Sequence, residues 1–180
     1  MKLFLTDTET SGLKAYDSNV LEVAAILYSV EAKAVLQQWS TLLYAPSNPA
    51  EHVNKITQIM LDEVAMVDVQ PEAYINMALE ADVLIAYNAD FDKPFIAKWI
   101  NGIEINGKSF PKNKPWVCAY KQLHYPKPSV NKKLSVVAAA HGITLGGEHR
   151  ALFDCQLMAQ LFMQTPDLEE QIMKYLPVKE

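Results

Sequence analysis

Asp7 and Glu9 stand two residues apart in Leu5-Thr6-Asp7-Thr8-Glu9-Thr10-Ser11-Gly12-Leu13, directly behind the apolar run Leu3-Phe4-Leu5. In an extended chain that spacing sends both carboxylates to one face. Two acids so placed at the end of an apolar strand repel each other and lose solvation, which is costly unless a cation lies between them. Ser11-Gly12 then turns the chain away. A surfacing strand with two solvated acids has the same signature. The choice depends on whether further acids occupy equally awkward places.

Two do. Asp92 follows the apolar run Val83-Leu84-Ile85-Ala86-Tyr87 and Asn88-Ala89-Asp90-Phe91, and precedes Lys93-Pro94. The pattern predicts a helix over 95–100 with Asp92 as its N-cap. Such a helix start lies near the crevice where α/β sheets bind ligands. Asp154 falls on the apolar stripe of a helix over 150–164, with Ala151, Met158 and Leu161. A carboxylate there faces the core, and Arg150, the nearby cation, points elsewhere on the helix. His149 precedes Asp154 by five residues, or ~500° of helix, so it belongs to the Gly146-Gly147 loop or the helix start and reaches across a site. His52, His124 and His141 have no acid at a suggestive spacing and are read as structural.

The elements that must position these groups follow in order. Strands are predicted at 3–8, 19–28 and 34–44, and their short links favour an antiparallel meander. A helical pattern runs from Ser47-Asn48-Pro49 to Ala81, with a separate helix over 72–80 behind Pro71. A strand covered on both faces follows at 83–87, a last short strand at 116–120, and helices at 134–140, 150–164 and 168–175. This order implies an α/β fold, a mixed five-stranded sheet flanked by helices, with the Asp7 strand central.

With 180 residues, half of them apolar and 21% charged, the chain reads as one domain over 1–180 with a proper core. No apolar run spans a membrane, and the opening Met-Lys-Leu-Phe-Leu-Thr-Asp is too short for a signal peptide. Cys118 and Cys155 form neither a disulfide framework nor a metal-site spacing. A cytoplasmic protein is expected. The net charge of −5 argues against electrostatic coating of nucleic acid, but not against gripping a few nucleotides with bound divalent ions.

The stretches Asp7–Leu13, Asn88-Ala89-Asp90-Phe91-Asp92 and His149-Arg150-Ala151-Leu152-Phe153-Asp154 resemble, in order and separation, the three motifs of the DEDD exonuclease superfamily. The histidine five residues before the last aspartate marks the DEDDh branch, and His-Arg-Ala-Leu-Phe-Asp-Cys is most similar to exonuclease X-like members. The proofreading epsilon subunit of DNA polymerase III belongs to the same branch.

The resemblance implies a ribonuclease H-like fold and a metal-dependent 3′→5′ exonuclease acting on single-stranded or frayed DNA ends. Asp7, Glu9, Asp92 and Asp154 correspond to the acids holding two Mg²⁺ or Mn²⁺ ions, about 3.5–4 Å apart in such sites, and His149 to the general base. Thr10, Leu13, Ile56 and Asn88 match substrate-side positions, Leu13 and Ile56 as wedges against the terminal bases. One departure is Val53-Asn54-Lys55-Ile56-Thr57, where the family often has a histidine in place of Asn54. The lysine-rich, acid-free stretch from Lys108 to Lys133, with Trp116, Tyr120 and Tyr125 interleaved, suits a single-strand track or a solvated loop face. The implied partner is a nucleic acid 3′ end; the sequence gives no sign of polymerase association, and a freestanding nuclease is expected. The rivals are a short-RNA exonuclease of the same fold and an inactive polymerase-accessory module, the latter disfavoured because every motif residue is present.

Overall fold

The aliphatic run after Asn19 is buried almost end to end because its strand has a neighbour on each side and helices on each face. In the computed structural model, which describes residues 1–144, 146 and 149–177, it is the second of three antiparallel strands: β1 (Lys2–Thr10), β2 (Val20–Ser29) and β3 (Ala34–Leu42). The helical pattern that follows breaks into α1 (Glu51–Asn54), α2 (Gln58–Glu63) and α3 (Glu72–Glu80). Lys55, in the left-handed region at φ 58°, ends the first, and the Thr57 hydroxyl caps the second by accepting from the Met60 amide.

Next come β4 (Val83–Ala86) and α4 (Ala89–Ile100), then a hairpin of β5 (Glu104–Ile105) and β6 (Lys108–Ser109). The chain continues through β7 (Trp116–Cys118), α5 (Ala119–Gln122), α6 (Leu134–Ala140), α7 (Ala151–Met163) and α8 (Leu168–Met173). The main sheet has the order β3-β2-β1-β4-β7, with β4 and β7 parallel to β1. The expected mixed five-stranded sheet is present, and β1 is central.

The period-two alternation of β1 divides the core. Leu3 and Leu5 point into the layer built with α6 and α7, while Phe4 points into the layer built with α3 and α4. Asp7 and Glu9 are in phase with Leu3 and Leu5, so they emerge on the α7 face. Thr6 and Thr8 face the α4 side, where the Thr6 hydroxyl donates to the Ala24 carbonyl and lies 3.0 Å from the Tyr74 hydroxyl.

Three expectations change. The helix expected at 95–100 starts at Ala89, so Asp92 lies inside its first turns instead of capping it, and Pro94 is accommodated within the helix. Tyr120, expected at the end of a last strand, sits in α5. The hairpin at 104–109 was not anticipated.

Candidate active site

The β1–β4 pairing stops at Thr6↔Ala86, while β1 continues beside β2 as far as Thr10. Asp7, Thr8 and Glu9 therefore overhang the parallel edge, next to the start of α4. The Thr8 amide, past the end of the ladder, is satisfied by Asp92: one carboxylate oxygen accepts from the Thr8 N–H at 3.0 Å and from its hydroxyl at 2.8 Å. Asp92 is 3% exposed and approaches β1 from the α4 face.

Asp154 arrives from the opposite layer, in the first turn of α7. Carboxylate oxygens of Asp7, Glu9 and Asp154 lie within 4.8 Å of one another. The position of α7 is fixed by Glu22, which the sequence reading did not single out. Glu22 pairs with Glu9 across the strands and is 4% exposed. It accepts from Arg150 through Nε at 3.0 Å and through the second guanidinium nitrogen at 2.8 Å, and from the Ala151 amide at 3.0 Å. Arg150 thus pairs with Glu22 and docks the amino end of α7, Asp154 included. Removing one partner of a buried pair strands the other charge, at about 3–5 kcal/mol in full burial. Arg150 is partly exposed, so Arg150→Ala should cost about 2–4 kcal/mol, read as a lower urea midpoint with an unchanged m-value.

The electrostatics of the cluster all run one way. Burial, then the Asp92, Asp154, Glu9 and Glu22 charges, hold the Asp7 carboxyl well above its ordinary range. Burial and the Asp154, Glu22 and Asp92 charges push Glu9 to about 8, against the opposing Arg150 charge. Burial raises Asp92 to about 7 despite the Thr8 hydrogen bonds, which lower it. The unfolded carboxyls titrate near ~4, so between that value and about 8 the folded chain holds protons that the unfolded chain has released. The chelator-treated protein should therefore lose stability as pH rises through this window. Excess Mn²⁺ should restore it most at the alkaline end. Melting temperature against pH, with and without metal, checks both slopes.

His149 lies just before α7, half-buried and in the left-handed region at φ 64°, which is uncommon for a non-glycine residue. It and Asp154 line one cavity of about 400 Å³, together with Asn88, Tyr87, Tyr120 and Lys132. Leu145, Gly147 and Glu148 of the preceding loop lie outside the described residues. A second cavity of about 420 Å³, between α4 and the hairpin, is lined mainly by apolar groups such as Ile96, Phe110 and Trp116, and none of the four motif acids borders it.

The substrate-side candidates separate. Leu13 is 84% exposed on the loop beyond Glu9, whereas Ile56 is fully buried against Leu21, Ala45 and Leu61. Gly12 lets that loop close, because a β-carbon there would lie 2.5 Å from the Ser18 hydroxyl. Thr10 is buried and donates its hydroxyl to the Gly12 carbonyl. Asn54 donates to the Thr10 carbonyl and accepts from the Ile56 amide, so it braces the loop. Asn88 is exposed at the N-cap position of α4, and its carbonyl accepts from the Phe91 and Asp92 amides.

The lysine stretch is not one surface. Lys114 caps the end of α3 through the Leu79 and Ala81 carbonyls, and Lys108 donates to the Asn76 side chain. Of the seven lysines from Lys108 to Lys133, only Lys132 and Lys133 line the cavity of His149 and Asp154. His141 is structural as expected: its Nε2 accepts from the Lys127 amide, and Nδ1 meets the Val137 carbonyl.

The exonuclease family profile matches residues 4–162. The chain belongs to the exonuclease family. This exonuclease is 28% identical over 174 residues to DNA polymerase III subunit epsilon of Aquifex aeolicus, covering 94% of its own chain and 81% of that protein. In fold it is similar to exonuclease X in complex with 5′-overhanging duplex DNA, with a TM-score of 0.62 and 21% identity over 89% of each chain. It is also similar to the nuclease domain of 3′hExo, a DEDDh family member bound to rAMP, with a TM-score of 0.68 and 15% identity over 99% of this chain and 96% of that one. The exonuclease is a 3′→5′ phosphodiester hydrolase with the ribonuclease H-like fold. The family works with divalent ions, and the converging donors fit one: all are carboxylate oxygens, the hard ligands that Mg²⁺ and Mn²⁺ select. No helix among the described residues is long and apolar enough to cross a membrane.

Proposed function

We propose that residues 1–180 form one exonuclease domain that removes nucleotides from the 3′ ends of single-stranded or frayed DNA and releases nucleoside 5′-monophosphates. The observation that carries this reading is the convergence of Asp7, Glu9 and Asp154 within 4.8 Å beside the cavity that His149 also lines. Asp7, Glu9 and Asp154, with Asp92 beside them, would hold two Mg²⁺ or Mn²⁺ ions. Bound there, the ions would offset phosphate charge and lower the pKa of water. His149 takes the proton of the attacking water. The water oxygen bonds to phosphorus, the bond to the preceding 3′-oxygen breaks, and that oxygen takes a proton from solvent to leave as a hydroxyl. Leu13 meets the terminal base, the Thr10 backbone approaches the terminal sugar, and Asn88 braces the wall of the cavity.

Labelled single-stranded DNA, blunt duplex and short RNA, incubated with Mg²⁺, should show stepwise shortening from the 3′ end, fastest for single-stranded DNA. Internal cuts or shortening from the 5′ end would overturn the reading. Fastest loss from short RNA would favour the ribonuclease reading, to which the rAMP-bound neighbour lends weight.

A further inference from the structure

The cavity beside the acids has a continuation that the motif residues do not use. Tyr87, Tyr120 and Lys132 line it and also line a second cavity of about 250 Å³, whose wall adds Lys127 and Ser129. The two adjoin along this shared wall and make up a trough whose far part lies away from Asp154 and His149. Its shared wall is fixed: the Tyr87 hydroxyl donates to the Lys132 carbonyl at 2.6 Å, and the Tyr87 and Tyr120 rings meet edge to face at 6.1 Å. The Lys132 ammonium lies 5.7 Å from the Tyr120 ring centre, and that ring is 42% exposed. Three lysines line the trough, and Asp154 at its head is the one acid among its described lining residues.

We infer that this trough holds the strand on the 5′ side of the scissile phosphate, with Lys132 binding a backbone phosphate and the Tyr120 ring bearing a base or sugar. The inference rests on the exonuclease reading of the same site. The acidic head of the trough needs metal charge before it accepts a phosphate, whereas the lysine wall is already cationic. An aromatic face beside such a wall is the arrangement by which single strands are gripped without sequence preference.

The test compares two substrates in Mn²⁺. One is an oligothymidylate. The other is the p-nitrophenyl ester of thymidine 5′-monophosphate, in which nitrophenol replaces the whole upstream strand. Tyr120→Ala should raise KM for the oligonucleotide about fivefold to a hundredfold, and Tyr120→Phe should recover most of that loss. Lys132→Ala should also raise that KM and reduce its log–log salt slope by about 0.7, one single-strand phosphate contact. Lys108→Ala, remote from the trough, should leave the slope alone. For Tyr120→Ala and Lys132→Ala, the loss on the oligonucleotide should exceed the loss on the ester at least tenfold. Equal losses on both substrates, or none on either, would overturn the trough while leaving the exonuclease reading intact. A wild-type protein that cleaves neither substrate would remove the exonuclease reading itself.

Discussion

Asp7→Ala should abolish turnover, by at least about 10³-fold, and yet leave the chelator-treated protein at least as stable as wild type near pH 8. The activity loss follows from position: Asp7 lies at the centre of the cluster, with Glu9 and Asp154 within 4.8 Å, and its burial raises its proton affinity further than the Asp92, Asp154, Glu9 and Glu22 charges do. Removing one preorganised electrostatic group from a site commonly costs about 10²–10³-fold, and groups acting as a unit cost more. The stability effect has the opposite sign because the same burial and repulsion that suit a cation penalise the ionised carboxyl without one. A carboxyl whose folded pKa is raised costs stability above its unfolded value, so the advantage of the variant should shrink towards pH 5, nearer that unfolded value. Single-turnover cleavage and urea unfolding at the two pH values test both halves. Near-native turnover, or a variant destabilised equally at pH 5 and pH 8, would remove Asp7 from the centre of the cluster.

The acids were legible in the sequence because their placement violates ordinary burial rules. A two-residue spacing is enough to put Asp7 and Glu9 on one face, and an apolar stripe is enough to turn Asp154 inward. What local pattern could not supply was the side from which each acid approaches. Asp92 comes from the α4 layer and meets β1 at Thr8, whose amide is left to be satisfied because β1 outruns β4. Pro94 has the local signature of a helix start and masks the earlier start at Ala89. Tertiary docking outweighed the local cost of a proline in the helix.

Glu22 carries no motif signal because it stands alone in an aliphatic run. Its Arg150 partner is 128 residues away, beyond the reach of any local pattern. That isolation was itself a signal, since a lone acid in a fully buried strand needs a partner. The hairpin had a plainer marker. Asn106-Gly107, both at positive φ (53° and 73°), is the dipeptide that a two-residue hairpin turn demands. Leu13 and Ile56 looked alike as apolar residues near the motifs, and only packing separates the exposed one from the core one.

His149 and Asp154 line the same cavity, but they should fail differently when replaced. Asp154 belongs to the converging oxygens, so Asp154→Asn should weaken metal binding and shift the metal dependence of the rate to much higher concentration. His149 lies before the helix and outside that set of oxygens, so His149→Ala should lose about 10²–10⁴-fold in rate, the worth of general-base catalysis, with metal affinity near wild type. The pH profile separates the roles further. Glu9 and Asp92, raised to about 8 and 7, also release protons in this range, so a rate that climbs with pH does not identify the base on its own. Added metal competes with protons for the carboxylates and should move their limb to lower pH. A limb that belongs to the group taking the proton of the attacking water should persist at saturating metal. Single-turnover cleavage across pH at saturating Mn²⁺ should therefore keep a rising limb in wild type and lose it in His149→Ala. If His149→Ala keeps the limb and needs far more metal, the histidine serves the ions instead of the water, and another group must take the proton.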